Sequence, residues 1–218
     1  MMVAGFGVAQ DQAAYLGPRI AMPISWAGGE DWNDLLDRID KSEPFADFGF
    51  TGGLEFTYYF SGSFSAEAAV MWGVYAWAFE GRNTDGDMVD VGCSLAFVEI
   101  PVVASYRIPA GPGSITLGVG PMLMFPTGEL SIDEIEGKAD VEADEDPDNA
   151  FVLGGTAGLG YDLPLGPGIL SLDARYVRTL TKLFEENGAG EFFPADFDEF
   201  YINAVAVYLS YGFAVGGN

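Results

Sequence analysis

The sequence predicts an all-β chain: one eight-stranded antiparallel up-and-down barrel that spans a membrane. Three observations carry that reading. Eight segments change from apolar to small or polar at every second residue, the period of a strand with two unlike faces. Three short turns and four long stretches alternate between those segments, which is the connectivity of a meander. The charge is confined largely to the long connections: 26 of the 33 acidic residues lie in Ala27–Phe45, Glu80–Cys93, Glu129–Asn149 and Lys182–Phe200, and the short turns carry none.

The first strand is the least regular, with Leu16, Ile20, Met22 and Ile24 opposite Gly17 and Arg19. The second shows the alternation best: Phe48, Phe50, Leu54, Phe56, Tyr58 and Phe60 share one face, while Asp47, Thr51, Glu55, Thr57 and Tyr59 share the other. A tight Ser61-Gly62 turn leads into the third, where Phe64, Ala66, Ala68, Val70, Trp72, Val74 and Ala76 oppose Ser63, Ser65 and Glu67; the two make a long hairpin. The fourth sets Ala96, Val98, Ile100, Val102, Ala104, Tyr106 and Ile108 against Glu99, Ser105 and Arg107. After Ala110-Gly111-Pro112-Gly113, the fifth sets Ile115, Leu117, Val119, Leu123 and Phe125 against Thr116, Gly118 and Gly120. In the sixth, Leu153, Ala157, Leu159 and Tyr161 oppose Thr156, Gly158 and Gly160. The seventh, beyond the Pro164–Gly168 turn, sets Leu170, Leu172, Ala174 and Tyr176 against Ser171, Asp173, Arg175 and Thr179. The eighth sets Val205, Val207, Leu209, Tyr211 and Phe213 against Ala206, Ser210 and Gly212.

The character of the two faces decides which one points outward. The polar face is mostly Gly, Ala, Ser and Thr, a poor solvent surface but a good lining for a narrow lumen. The apolar face carries aromatics near both strand ends: Tyr58, Phe60, Phe64, Tyr106, Tyr161, Tyr211 and Phe213 towards the short turns, and Trp26, Phe48, Phe125 and Phe151 towards the long stretches. Two such belts are expected at the two interfaces of a bilayer. Barrels of this type have short periplasmic turns and long extracellular loops, so the acidic stretches are expected outside and both chain ends in the periplasm. The competing reading is a soluble lipocalin-like barrel, with the apolar face lining a cavity for an apolar ligand.

Composition narrows the function classes. The chain of 218 residues suits one domain, and a formal net charge of −24 with 9 basic residues argues against nucleic acid as a partner. There is no histidine and a single cysteine, Cys93, so a Cys/His zinc site, a Ser/His/Asp triad and an internal disulfide are all excluded by inventory; Cys93 is expected at a loop or strand edge. The 31 aromatic residues offer too much apolar surface for a disordered chain. The longest uncharged run, Ile108–Gly128, holds four prolines and five glycines and does not read as a transmembrane helix. Residues 1–10 read as the tail of a secretory signal peptide, with Gly7 and Ala9 before the cut, and residues 11–218 as the barrel domain.

In order and pattern the chain resembles the eight-stranded outer-membrane β-barrel family of the OmpX and PorT-like kind. The resemblance covers residues 13–214 and is carried by GFTGGLEFTYYFSGSFSAEAAV at 49–70, FVEIPVVASYRI at 97–108, LGVGPML at 117–123, LSLDARYVRTLTKLF at 170–184 and VYLSYGFAV at 207–215. It implies a cell-envelope protein of the Gram-negative outer membrane, monomeric and surrounded by outer-membrane lipid, with no cofactor. Members of the family usually end in an aromatic residue. Phe213 looks like that residue, but five more residues follow it.

Arg19, Glu55, Glu67, Arg107, Asp173 and Arg175 all fall on the polar face. Most sit a similar distance from a short turn, so they are expected to meet inside the lumen. An unpaired charge there is costly, and salt bridges that plug the interior are the natural arrangement. The run Asp144, Glu145, Asp146 and Asp148 offers hard oxygen ligands for divalent cations, against which stands the simpler reading of a solvated acidic loop. Trp32, Leu35, Leu36 and Ile39 follow helical spacing in the first long stretch. The expected function is non-enzymatic: a barrel with a plugged lumen whose acidic loops serve surface interaction or envelope stability. The alternatives are a narrow porin-like channel for ions or small solutes, and an outer-membrane enzyme working by carboxylate chemistry near Asp196 and Asp198.

Overall fold

The computed structural model describes residues 13–29, 44–82, 88–136, 143–145, 149–183 and 201–215. They form eleven strands and, among the described residues, no helix: β1 (Ala13–Gly28), β2 (Pro44–Phe48), β3 (Phe50–Tyr59), β4 (Phe64–Arg82), β5 (Met88–Ala110), β6 (Gly113–Pro126), β7 (Leu130–Glu136), β8 (Ala143–Glu145), β9 (Val152–Leu165), β10 (Gly168–Thr179) and β11 (Tyr201–Val215). Eight of them form a closed ring of antiparallel pairs, β1-β3-β4-β5-β6-β9-β10-β11 and back to β1. Closure leaves no open edge among the ring strands, the condition for a sheet to stand in lipid.

The registers define the geometry of the ring. Leu16 pairs with Phe56, Phe56 with Ala68 and Ala68 with Val102. The β5–β6 register sets Val102 opposite Pro121, which pairs with Gly155; the path continues through Arg178 and Asn203 to Trp26. One circuit therefore returns to β1 ten residues above its start. Eight strands so staggered are strongly tilted, by roughly 40°, and enclose an interior just wide enough for side chains.

The two faces separate cleanly. Large apolar side chains on the outer wall, among them Ile20, Leu54, Val70, Val119, Leu159 and Leu172, are 48–64% exposed, whereas the alternate residues point inward. A soluble lipocalin-like barrel has the opposite distribution. Two of the short turns, at Gly111-Pro112 and Gly166-Pro167, each use a glycine with positive φ, 62° at Gly111 and 59° at Gly166, a conformation glycine adopts without steric cost. Tyr161 and Tyr211 brace these turns by donating hydroxyl hydrogen bonds to Ala110 O at 2.9 Å and Leu165 O at 2.8 Å.

The acidic stretches contain more strand than their composition suggests. In Glu80–Cys93, β4 and β5 pair from Phe64↔Tyr106 up to Arg82↔Met88, with residues 83–87 between them. Glu129–Asn149 contains β7, which pairs with β5, and β8, which pairs with β7. Pro44 and Phe45 belong to β2, which continues β3 beyond a break at Gly49. A Cβ at Gly49 would lie 2.0 Å from Val74 O, so only glycine admits that approach. Acidic residues are compatible with these extensions because the ladder is made by backbone groups, which every residue but proline carries in full. The helical spacing of Trp32, Leu35, Leu36 and Ile39, the signal-like residues 1–10 and the pair Asp196 and Asp198 lie outside the described residues.

The orientation of the outer wall yields a direct test. Val119 stands on that wall near mid-height, and Val119→Arg is expected to lower folding stability in lipid vesicles by roughly 2–4 kcal/mol, read from reversible urea unfolding. An unchanged midpoint would mean that this face does not meet hydrocarbon.

Candidate functional site

The site is the interior, and it is layered. Nearest the short turns, Arg107 on β5 reaches Asp162 on β9, Nε to Oδ2 at 3.4 Å. Its guanidinium lies over the Tyr59 ring, 4.2 Å from the centroid, and the Tyr59 hydroxyl donates to Asp162 Oδ2 at 3.3 Å. Ser171 donates to the other Asp162 oxygen at 2.7 Å. Both oxygens of that carboxylate are thereby engaged.

Above this pair lies the main network. Arg175 on β10 grips Glu67 on β4 with two hydrogen bonds, Nη1–Oε1 at 2.8 Å and Nη2–Oε2 at 2.7 Å, the fork geometry that guanidinium and carboxylate share. Arg19 on β1 donates through Nη1 to the same Glu67 and to Glu55 on β3, the latter at 2.5 Å. Asp173 bridges the two cations, 3.6 Å from Arg19 Nη2 and 3.4 Å from Arg175 Nη2. Thr57 donates to the remaining Glu55 oxygen at 2.9 Å, and Tyr208 offers its ring face to Arg19 at 4.3 Å. Glycine makes room for this: a Cβ at Gly160 would lie 2.2 Å from Asp173 Oδ1.

Next towards the long loops stands Glu99 on β5, 0% exposed. The Thr51 and Tyr75 hydroxyls flank its carboxyl, yet among the described residues neither they nor its two oxygens have a hydrogen-bond partner of good geometry. Beyond it the interior turns apolar, with Trp77, Phe79, Leu95, Phe97, Met122 and Met124 in one buried cluster. Cys93 belongs to that cluster, 3% exposed and opposite Trp77. This corrects the expectation of a loop or edge thiol, and the reason is that β5 begins five residues earlier and points Cys93 inward. A cavity of about 20 Å³ remains on the short-turn side, lined by Glu55, Glu67, Asp162, Asp173 and Arg175 among others; that is room for about one water.

Of the six charged residues selected from the sequence, the structure brings Arg19, Glu55, Glu67, Asp173 and Arg175 into one network and places Arg107 in a separate pair. Sequence reasoning missed Asp162, which abuts a turn yet keeps the inward parity of Gly158 and Gly160. It placed Glu99 on the polar face but left it out of the cluster, since Glu99 lies farther from its turn, and it missed the large inward residues of β4 and β5, such as Trp77 and Phe97. Asp144 and Glu145 are on β8 with side chains outside the described residues, as are Asp146 and Asp148 altogether.

The belt aromatics stand on the outer wall. At the short-turn end, Tyr58 meets Phe60, Phe64 meets Tyr106 and Tyr211 meets Phe213, with centroids 5.0, 5.2 and 4.8 Å apart. At the other end, Phe125 meets Phe151, and Trp26 meets Tyr176, both at 6.3 Å. Tyr161 lies over the β5–β6 turn, and Phe48 is exposed at the top of β2.

Because Glu67 neutralises two cations at once, Glu67→Ala leaves both without their principal partner. It is expected to cost about 3–5 kcal/mol of folding stability, whereas Asp47→Asn on the rim is expected to stay within about 0.5 kcal/mol. Parallel urea unfolding of the two variants in vesicles checks the difference, and equal midpoints would show that the network does not hold the barrel.

Three comparisons bear on kinship. Solved structures with a similar course of the chain include the outer membrane protein OprG from Pseudomonas aeruginosa, 11% identical over 96% of this chain and 98% of that one, with a TM-score of 0.48. Neisserial surface protein A is 12% identical over 89% and 95%, with a TM-score of 0.44. Ail, the attachment invasion locus protein of Yersinia pestis, is 12% identical over 93% and 99%, with a TM-score of 0.40. No curated protein sequence matches the chain. The model of the outer membrane protein beta-barrel domain matches residues 10–185, from before β1 to beyond β10. With the closed ring, the outward apolar wall and that match over most of its length, the chain belongs to the outer membrane protein beta-barrel domain family and resides in the bacterial outer membrane.

Proposed function

We propose that the chain is a non-enzymatic envelope protein: a barrel whose lumen is closed by its own side chains, presenting an acidic surface outside the cell. The observation that carries the reading is the succession of layers across the interior. An ion entering from the short-turn side meets a small polar cavity, then Arg19 and Arg175 locked to Glu67, then the fully buried Glu99, then the apolar cluster around Trp77 and Phe97. Bare apolar packing is a barrier to a hydrated ion, and the charges before it are committed to one another.

The outer end suits contact with surfaces. With both termini and the neutral turns on the periplasmic side, the acidic stretches dominate the field outside, and a strong single-sign field draws oppositely charged partners and repels like ones. The absence of histidine from the sequence removes the usual general base for hydrolysis at this rim.

The competing reading is a narrow channel, and conductance separates the two. Wild-type barrels reconstituted in planar bilayers are expected to give no stable ion current. Removing the apolar layer with Tyr75→Ala and Phe97→Ala is expected to leave them silent, and current is expected only when Glu67→Ala and Arg19→Ala are added. Steady current through the wild type would overturn the closed-lumen reading. Independently, replacing the acids of residues 184–200 by their amides is expected to weaken adhesion of barrel-bearing cells to a cationic surface, with the wild-type adhesion falling as salt is raised; adhesion indifferent to both changes would argue against a surface role.

A further inference from the structure

The chain has only 9 basic residues, and Arg19, Arg107 and Arg175 point into the lumen. Arg178 differs from these. It is exposed on the outer wall of β10, and among the described residues it pairs with no carboxylate. Its guanidinium instead lies over the Tyr201 ring, 4.9 Å from the centroid.

The registers set Arg178 beside Asn203, and Asn203 beside Trp26. Asn203 shares the outward parity of Val205 and Val207 and is 7% exposed. Its Oδ1 accepts the Tyr176 hydroxyl at 2.7 Å, so the carboxamide has its nitrogen left to donate. A Cβ on Gly28 would lie 3.2 Å from that nitrogen; glycine there keeps the space beside the donor open. The result is a patch of two donor groups and one positive charge, bounded by the rings of Trp26, Tyr176 and Tyr201. Arg178 is ten residues from Gly168 at the β9–β10 turn, which at ~3.3 Å per residue and a tilt of ~40° is roughly 25 Å, the height of the apolar band. The patch therefore stands at headgroup level in the leaflet on the loop side.

We propose that Arg178 and Asn203 form an outward-facing site for the phosphate of an anionic lipid in that leaflet. The chemistry matches, since a guanidinium and an amide donor make charge-assisted hydrogen bonds to phosphate oxygens. The source follows from the charge. A net charge of −24 keeps dissolved anions away from the loop end, whereas a lipid carries its phosphate to this depth through the hydrophobic anchoring of its tails.

The test places the purified barrel in nanodiscs of phosphatidylcholine containing a minor fraction of phosphatidic acid and reads the retained lipid by native mass spectrometry. The wild type is expected to retain phosphatidic acid in preference to phosphatidylcholine, and Arg178→Gln to lower that retention roughly tenfold. Arg178→Lys is expected to keep part of it, and Asn203→Ala to weaken it. Excess inorganic phosphate is expected not to displace the lipid. Heat-dependent gel mobility reports that each variant is folded; should the glutamine variant fail there, the lysine and Asn203 variants decide. Equal retention by wild type and folded variants, no preference for phosphatidic acid, or ready displacement by inorganic phosphate would each overturn the proposal.

Discussion

Every other feature of the molecule depends on the hydrogen-bonded closure of β1 against β11. A strand in hydrocarbon has no water to satisfy its amides and carbonyls, so an open edge there would cost several kcal/mol per orphaned group. The thirteen paired positions from Ala14↔Val215 to Gly28↔Tyr201 remove that edge. They also join the first ring strand to the last, so the barrel closes only when the whole sequence between them is in place. Closure at a shear of ten then dictates the tilt, the diameter and which residues share a level inside.

The narrow interior follows from that closure, and it explains the charge network. In a wide barrel Arg19 and Glu67 would each be hydrated. Here eight strands leave an interior just wide enough for side chains, so each ion must find its counter-ion within the wall. Tyr59 and Tyr208 extend the same economy of space by presenting ring faces to Arg107 and Arg19. Glu99 is the exception, a carboxyl fully enclosed between the ion network and the apolar cluster. Its place marks the boundary at which the interior changes from polar to apolar.

The outer wall is organised by the same depth coordinate. Tyr–Phe pairs sit where the short turns leave the bilayer, and Trp26 with Tyr176 sits where the strands emerge on the other side. Above that level the sheet continues as the β4–β5 hairpin with β7 and β8 beside it. There the backbone goes on pairing through a stretch whose composition resembles a loop.

Much of the fold was legible because a strand writes its two environments into alternate residues: Phe48 to Phe60 and Phe64 to Ala76 state the lipid-facing side without ambiguity. The same alternation placed Arg19, Glu55, Glu67, Asp173 and Arg175 on one inner surface. What alternation cannot convey is relative height between strands, because each register is settled by pairing with a neighbour distant in sequence. That is why Arg107 stands with Asp162 rather than in the main network, why Glu99 lies one layer away from it, and why Cys93 is buried opposite Trp77. The sequence by itself determined the strand count of the ring, the lipid-facing side and the sign of the exposed end, since these depend on local period and composition. The tertiary structure alone decided which charges meet, because ring closure at a particular shear brings residues more than a hundred positions apart, such as Glu67 and Arg175, to the same level.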